Sequence, residues 1–371
     1  MRFLITGQGV SIVHLAIKFY SLQGISEKSN MVKVFIKRML LLAAGYSGLL
    51  ALLRFLNRKK IVIFMLHGIV EEKDYPWQTN IKQCSLTRFE QVLSILQKYF
   101  QFVTLDDAVA MISGEKPIKP YCAVLTFDDG YKNIFCTALP VLKQYGLPAV
   151  FFIPTGHITN QKPLWFDTLD YAIQCGEQGA FTLPIGGVDV FFDTENPAQV
   201  KKQYRSFLYQ YNRKFQANDY DFQKKIFSQI KSWQSKSGIN FSSVLSKDLR
   251  TALMTWEEVE QSCQAGVTIG SHTVDHLKLA TVEDQQIEQQ LQQSKKDIEE
   301  HCSMPCKYLC YPNGNFDDRV IRIVRECGYQ AAVTTVSQLN EVGENIYQLS
   351  RLGFPRRAEK FHIFNHIYRG L

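Results

Sequence analysis

Two adjacent carboxylates, Asp128 and Asp129, stand before Gly130 at the end of the apolar run Cys122–Phe127. Like charges held side by side repel unless a cation or a shared proton relieves them. Farther along, His272 and His276 follow a second apolar run, Val267–Gly270. They are four residues apart, so a single helical turn would aim both imidazoles at one point. Two neutral imidazoles, one carboxylate and open positions for water make the ligand set of a catalytic divalent ion of the zinc type. A third run, Ile61–Leu66, ends in His67. Each piece by itself is an ordinary turn or surface pattern. Their shared position at the ends of β-rich runs is what marks a site.

The elements that must hold these residues alternate in a regular way from residue 61. Strands are expected at Ile61–Leu66, Phe102–Thr104, Cys122–Phe127, Ala149–Ile153, Val267–Gly270, Lys307–Tyr311 and Gln330–Thr335. Between them lie amphipathic helices: Thr87–Phe100, opened by a Thr87/Glu90 capping box, then Asn133–Tyr145, Trp256–Ala265, Val282–His301 and Asp317–Gly328. Strand and helix in alternation imply a parallel sheet, and about seven strands fit an α/β barrel, whose working residues stand at the C-terminal strand ends. Residues Gly156–Thr251 break the rhythm, with a helix-like Leu164–Cys175, a hairpin signal at Gly186-Gly187 and a polar helical stretch. This stretch reads as an insertion over one end of the barrel, a lid or substrate platform.

The residues resemble a known family. Thr126-Phe127-Asp128-Asp129-Gly130, Ser271-His272-Thr273-Val274-Asp275-His276 and Tyr311-Pro312-Asn313-Gly314 are similar to the first three motifs of the polysaccharide deacetylases, the NodB homology domain of carbohydrate esterase family four. The resemblance spans about residues 61–353. It implies a distorted (β/α)7 barrel and metal-dependent removal of acetyl groups from N-acetylated sugars in a glycan or glycolipid. Carried over by position, Asp129, His272 and His276 resemble the metal ligands, with zinc the first choice of divalent ion, and Asp128 resembles the catalytic base. The oxyanion would be held by a backbone N–H at Asn313, with Tyr311 and Pro312 against the substrate. The family's third motif carries an arginine where this chain has Cys310, and an aromatic residue where it has Asn313. Arg351, after the last strand, is expected to supply the missing guanidinium, because its planar fork suits a carboxylate. The family's general acid, a histidine in a Leu-x-His motif, has no clear match. His362 and His366 lack the leucine, and His67 is the other candidate, as acid or substrate contact. Trp165 and Asp167 could form a sugar platform, although a core tryptophan is the favoured reading of the two.

Composition sets the outer bounds. The 371 residues are 46% hydrophobic, with 25 Phe, 17 Tyr and 4 Trp, enough for a full-sized core. The net charge of +7 is concentrated at the start: residues 1–60 hold ten basic residues and one acid, which leaves 32 basic and 34 acidic residues in the rest. A near-neutral body argues against a nucleic-acid partner. Within the basic segment, Met39–Leu53 is fifteen uncharged residues flanked by Lys37, Arg38 and Arg54. It is short for a bilayer span. It is expected either to lie on an anionic membrane surface or to pack on the body of the protein. The three expected parts are thus 1–60, the barrel with its insertion at 61–353, and a helical tail at 354–371. Nine cysteines without a paired framework point to a reducing compartment, the cytoplasm or the cytoplasmic side of a membrane, with periplasmic anchoring the alternative.

Overall fold

Val62–Leu66, rich in β-branched and aromatic side chains, forms the first strand, β1. It is followed by β2 (Ile69–Val70), β3 (Cys84–Ser85), β4 (Gln101–Phe102), β5 (Cys122–Phe127) and β6 (Ala149–Ile153). Then come the antiparallel hairpin β7 (Ala180–Ile185) and β8 (Val188–Asp193), and finally β9 (Thr268–Ser271), β10 (Tyr308–Cys310), β11 (Ala331–Val333) and β12 (Leu352–Gly353). The computed structural model describes residues 48–71, 83–174, 180–185, 188–193, 196–213, 218–238 and 240–368. The chain divides into two units, Met1–Leu53 and Arg54–Leu371. Of the first, the described residues are the opening of the helix Leu49–Leu56. Most of the apolar segment 39–53 lies outside the described residues. No helix among those residues is long and apolar enough to cross a membrane.

The second unit is built on one parallel sheet with the strand order β11-β10-β9-β6-β5-β1-β12, and β4 pairs with the start of β5. The ring is completed by single contacts, not by a full ladder: Val333 bridges Leu349, and the Thr334 N–H donates to the Leu349 carbonyl at 2.8 Å. The result is a distorted seven-stranded α/β barrel. Its interior follows the period-two rule of strands. Ile61, Ile63, Val124, Val150, Phe152, Tyr308, Cys310, Ala331, Val333 and Leu349 form one buried cluster, closed at the end where the strands begin by the helix Leu105–Ile112. Gly270 belongs to the same packing. A Cβ there would lie 2.5 Å from the Phe152 ring and 3.1 Å from the Tyr308 carbonyl. Gly270→Ala is therefore expected to destabilise the protein by about 1–3 kcal/mol through overpacking, read as a lowered urea midpoint at unchanged slope.

Three local expectations are corrected. The helix Leu86–Leu96 is entered from Ser85 with no side-chain cap, so the Thr87/Glu90 box does not form. Asn133–Tyr145 is not one α-helix: Ile134–Ala138 is a π-helical turn leading into Leu139–Tyr145. Pro140 lacks the N–H that would bond back to Cys136, which frees this stretch to widen. Cys136, whose apolar neighbours in the sequence lead one to expect a buried thiol, is exposed, whereas Cys122, with similar neighbours, is buried in the barrel.

The insertion packs its own core. Trp165, at the head of the helix Trp165–Gln174, lies edge-on to Phe166, Phe207, Tyr211 and Phe222. The last three stand on the helices Pro197–Arg213 and Asp219–Ser237. The insertion also reaches the loop that follows β9. Asp219 accepts from the Lys278 backbone N–H at 2.8 Å and from the Tyr211 hydroxyl at 2.6 Å.

Candidate active site

Because side chains alternate along β5, Thr126 and Asp128 share the face of Val124 and point into the barrel mouth. Asp129 and Gly130 then take positive φ, 74° and 68°, and turn the chain off the strand. A matching pair stands at the end of β10, where Asn313 and Gly314 have φ of 55° and 64°. Asparagine tolerates this conformation better than an aromatic residue does, which is a physical reason for Asn313 in this turn. At Gly314 a Cβ would fall on the Thr335 side chain.

Asp128 is 3% exposed and receives a two-pronged pair from Arg351, each nitrogen 2.7 Å from its own carboxylate oxygen. Arg351 follows Leu349 on the inward parity and is itself buried. Its remaining donors reach the Thr334 carbonyl at 2.8 Å and the Thr126 hydroxyl at 3.0 Å. Its second prong also lies 3.1 Å from the Cys310 sulfur. Burial alone would push the Asp128 carboxyl up. The charge and hydrogen bonds of Arg351, joined by His272 and His67, outweigh that and hold it below the usual carboxylate range. The guanidinium expected at position 310 thus arrives from β12, and a small thiol at 310 leaves room for it. Burial pushes that thiol up, so Cys310 stays a neutral filler.

Asp129, His272 and His276 are all buried and bring one donor atom each within 4.8 Å of one another. The His272 and His276 Nε2 atoms lie 3.5 and 3.3 Å from the same Asp129 oxygen. These separations are long for hydrogen bonds. They match the spacing of about 3.4 Å between ligand atoms that sit about 2.1 Å from a tetrahedral ion. His272 Nδ1 is 2.7 Å from the Cys310 carbonyl, which can only accept, so that nitrogen carries a proton and Nε2 is the atom left to face a cation, which would displace any proton held there. Burial opposes a charge on His272. The neighbouring Cys310 sulfur and the two carboxylates outweigh it and push its pKa well up. The residues present fit a divalent cation. A second grouping of Asp128, His272 and Cys310 does not, because Arg351 occupies both oxygens of Asp128 and the thiol stays protonated.

The two histidines do not converge by a helical turn. Residues 272–278 form an irregular loop in which Thr273 and His276 take positive φ, 65° and 53°. For a β-branched threonine this is a genuine outlier, held only because the surroundings dictate it. Gln290 supplies much of that hold. Its side-chain oxygen accepts from the Val274 and Asp275 N–H groups at 3.0 and 2.9 Å, and its amide donates to Asp275 at 2.7 Å. Gln290→Ala is expected to weaken zinc binding about tenfold to a hundredfold while leaving all three ligands in place. A competition titration with a chelator reads this out, and unchanged affinity would show that the loop holds itself.

These groups face a cleft of about 480 Å³, which His67 and Asn313 also line. Tyr311 borders it but is fully buried, its hydroxyl donating to the Tyr347 carbonyl at 3.0 Å and its ring stacked on Phe316. It offers no free aromatic face, and Pro312 is buried beside it. Burial and position decide between two pairs of alternatives. Trp165 is 0% exposed, so it is core and not a sugar platform, and Asp167 is taken up by the Tyr131 hydroxyl at 2.7 Å. His362 and His366 stand on the helix Lys360–Tyr368 and do not line the cleft. Arg88, Asn212, Arg213, Thr335 and Arg356 do line it, and sequence reading singled out none of them. They come from segments with no recognisable motif, and only the folded chain brings them together.

A polysaccharide deacetylase family model matches residues 115–206 and 218–332. A Bacillus subtilis (strain 168) protein described as a polysaccharide deacetylase, YxkH, is 21% identical over 253 residues, 68% of this chain. The chain spans 58% of that relative's length. Among solved structures, a de-N-acetylase from Aggregatibacter actinomycetemcomitans matches with a TM-score of 0.53 at 16% identity, covering 83% of this chain and 100% of its own. IcaB from Ammonifex degensii matches at 0.52 and 16%, covering 82% and 97%. The deacetylase PplD from Streptococcus pyogenes, solved with acetate, matches at 0.50 and 17%, covering 79% and 92%. At such identities the structural matches speak for the fold. The family model runs over more than half of the residues and through both the Asp128-Asp129 turn and the His272–His276 loop, and on that ground the chain belongs to the polysaccharide deacetylase family.

Proposed function

We propose that the chain hydrolyses the acetamide of N-acetylated amino sugars in a glycan or glycolipid, releasing acetate and leaving a free amine. The observation that carries this reading is a buried, ionised carboxylate, Asp128, fixed by Arg351 next to the Asp129/His272/His276 group in one cleft. A divalent cation held by those three residues, zinc in our reading, would bring a water's pKa towards neutrality and polarise the acyl carbonyl. Asp128, kept ionised by its arginine, accepts the proton as the water oxygen bonds to the acyl carbon. The Asn313 N–H, turned by the left-handed backbone, is our donor to the oxyanion that develops. Breaking the C–N bond requires a proton on the departing nitrogen. His67, half-buried on the cleft wall, is our acid for that step, since an imidazole there can hand a proton to the departing nitrogen. The alternative, a catalytically silent carbohydrate-binding or membrane-scaffold protein, draws on the altered third motif and the unmatched general acid, and the pairing of Arg351 with Asp128 speaks against the first of these.

The test is acetate release by zinc-loaded protein from an N-acetylglucosamine oligomer and from an O-acetylated glycan side by side. Release from the amide substrate supports the reading. Release only from the ester would move it to O-deacetylation, and release from neither would overturn it for both. We place the reaction at the cytoplasmic face of a membrane. The support is the basic N-terminal segment together with eight described cysteines, none of them in a disulfide.

A further inference from the structure

The cleft carries three arginines that the chemistry above does not use. Arg88 comes from the helix Leu86–Leu96, Arg213 ends the helix Pro197–Arg213, and Arg356 lies just beyond β12. Three elements remote in sequence thus bring one arginine each to the lining of one cavity, Arg88 half-buried and Arg213 and Arg356 exposed at its rim. Four other arginines sit on carboxylates, Arg250 on Asp248, Arg319 and Arg322 on Asp284, and Arg351 on Asp128, while Arg54, Arg58 and Arg325 bond to backbone carbonyls or an amide. Among the described residues none of the three cleft arginines sits on a carboxylate, and Arg213 rests over the Tyr209 ring at 5.4 Å. The acids facing the same cavity are already engaged, Asp128 by Arg351 and Asp129 by the two histidines. Like charges gathered in a concave wall raise its potential and draw in anions.

We infer that this wall is a phosphate subsite, and that the cleft takes an N-acetylated amino sugar bearing a phosphate. The inference rests on the deacetylase reading for the fate of the acetyl group. A carboxylate's two oxygens are satisfied by one guanidinium fork, as Asp128 shows with Arg351. Several arginines around one cavity suit a phosphate, which offers more terminal oxygens than a carboxylate and up to two charges. The cleft volume, about 480 Å³, falls within the range of roughly 300–1,000 Å³ typical of small-ligand sites. A neutral polymer would leave all three guanidiniums without a counter-charge.

The experiment is calorimetric titration of the full-length protein with N-acetylglucosamine 1-phosphate and with N-acetylglucosamine, zinc-loaded and after chelation, with acetate assayed in parallel. The phosphorylated sugar is expected to bind at least about tenfold tighter, in both metal states, with the preference shrinking as salt is added. Arg88→Gln, Arg213→Gln and Arg356→Gln should each reduce the preference by at least about twofold, and the triple variant should bind both sugars alike. Equal binding by wild type, a preference that vanishes on chelation, or one that survives in the triple variant would each overturn the inference. Acetate released from both sugars at the same kcat/KM would also count against it, while leaving the deacetylase reading standing. A phosphate preference lost in the triple variant, with acetate released from neither sugar, would sustain the subsite and overturn the deacetylase reading. N-acetylglucosamine linked through phosphate to a short polyprenyl chain separates the two sources of phosphate. Tighter binding than the soluble sugar phosphate assigns the subsite to a lipid carrier, and equal binding to a soluble one.

Discussion

Asp128→Asn is expected to hold as much zinc as the wild type and to release acetate about 10²–10⁴-fold more slowly, while His276→Ala loses metal and turnover together. The split follows from the geometry. Asp128 gives both oxygens to Arg351, and the donor group of Asp129, His272 and His276 closes without it. An amide in its place cannot take up a proton from attacking water, and loss of a positioned base costs rates of that order. His276 contributes one of three protein ligands and stands 3.3 Å from the Asp129 oxygen. Removing it leaves two ligands, too few for a stable catalytic site of the zinc type. Metal per chain by emission spectroscopy, beside acetate release at saturating zinc, reads both variants. Substantial turnover by Asp128→Asn would remove the base from the mechanism. Full metal content in His276→Ala would move the site elsewhere.

The carboxylate pair, the histidine pair and the strands beneath them were legible in the sequence because each depends on local periodicity. β5 and β6 run over the expected residues, Cys122–Phe127 and Ala149–Ile153, since continuous apolar β-branched and aromatic runs leave little choice. The route by which His272 and His276 meet was not legible. A spacing of four reads as a helical turn, but positive φ at Thr273 and His276 does the work, in a loop held by Gln290, Ser271 and the backbone of Thr155 and Gly156. Trp165 is a case the sequence leaves open. Its neighbours Phe207, Tyr211 and Phe222 lie far along the chain, so the sequence could not show that its faces were already covered. Arg88, Arg213 and Arg356 fall in the same class, because a shared cavity between distant segments leaves no local trace. Arg351 was within reach by chemistry, as a carboxylate beside Cys310 lacked its expected partner. It was also within reach by parity, being two residues from inward-facing Leu349.

Arg351→Met is expected to cost about 3–5 kcal/mol of stability, because it leaves Asp128 charged, 3% exposed and unpaired inside the barrel mouth. The same change frees the Thr334 carbonyl and the Thr126 hydroxyl, which Arg351 now holds. In the wild type Asp128 titrates below its ordinary value in the folded chain. It therefore adds stability at pH values above its unfolded pKa and loses that contribution as pH falls through the folded one. In the variant burial is left unopposed by the guanidinium, so the folded pKa rises and the charged form becomes a penalty that acid relieves. The gap in unfolding free energy between wild type and Arg351→Met, measured in urea on metal-free protein, should accordingly be wide at pH 7 and narrower at pH 5. Asp128→Asn combined with Arg351→Met should recover part of the loss, because the double change removes the stranded charge along with its partner. A gap under about 1 kcal/mol, or one of equal size at both pH values, would mean that Arg351 fills space in the barrel mouth without holding the charge of Asp128. The orientation of the base would then have to come from Thr126 and the strand itself.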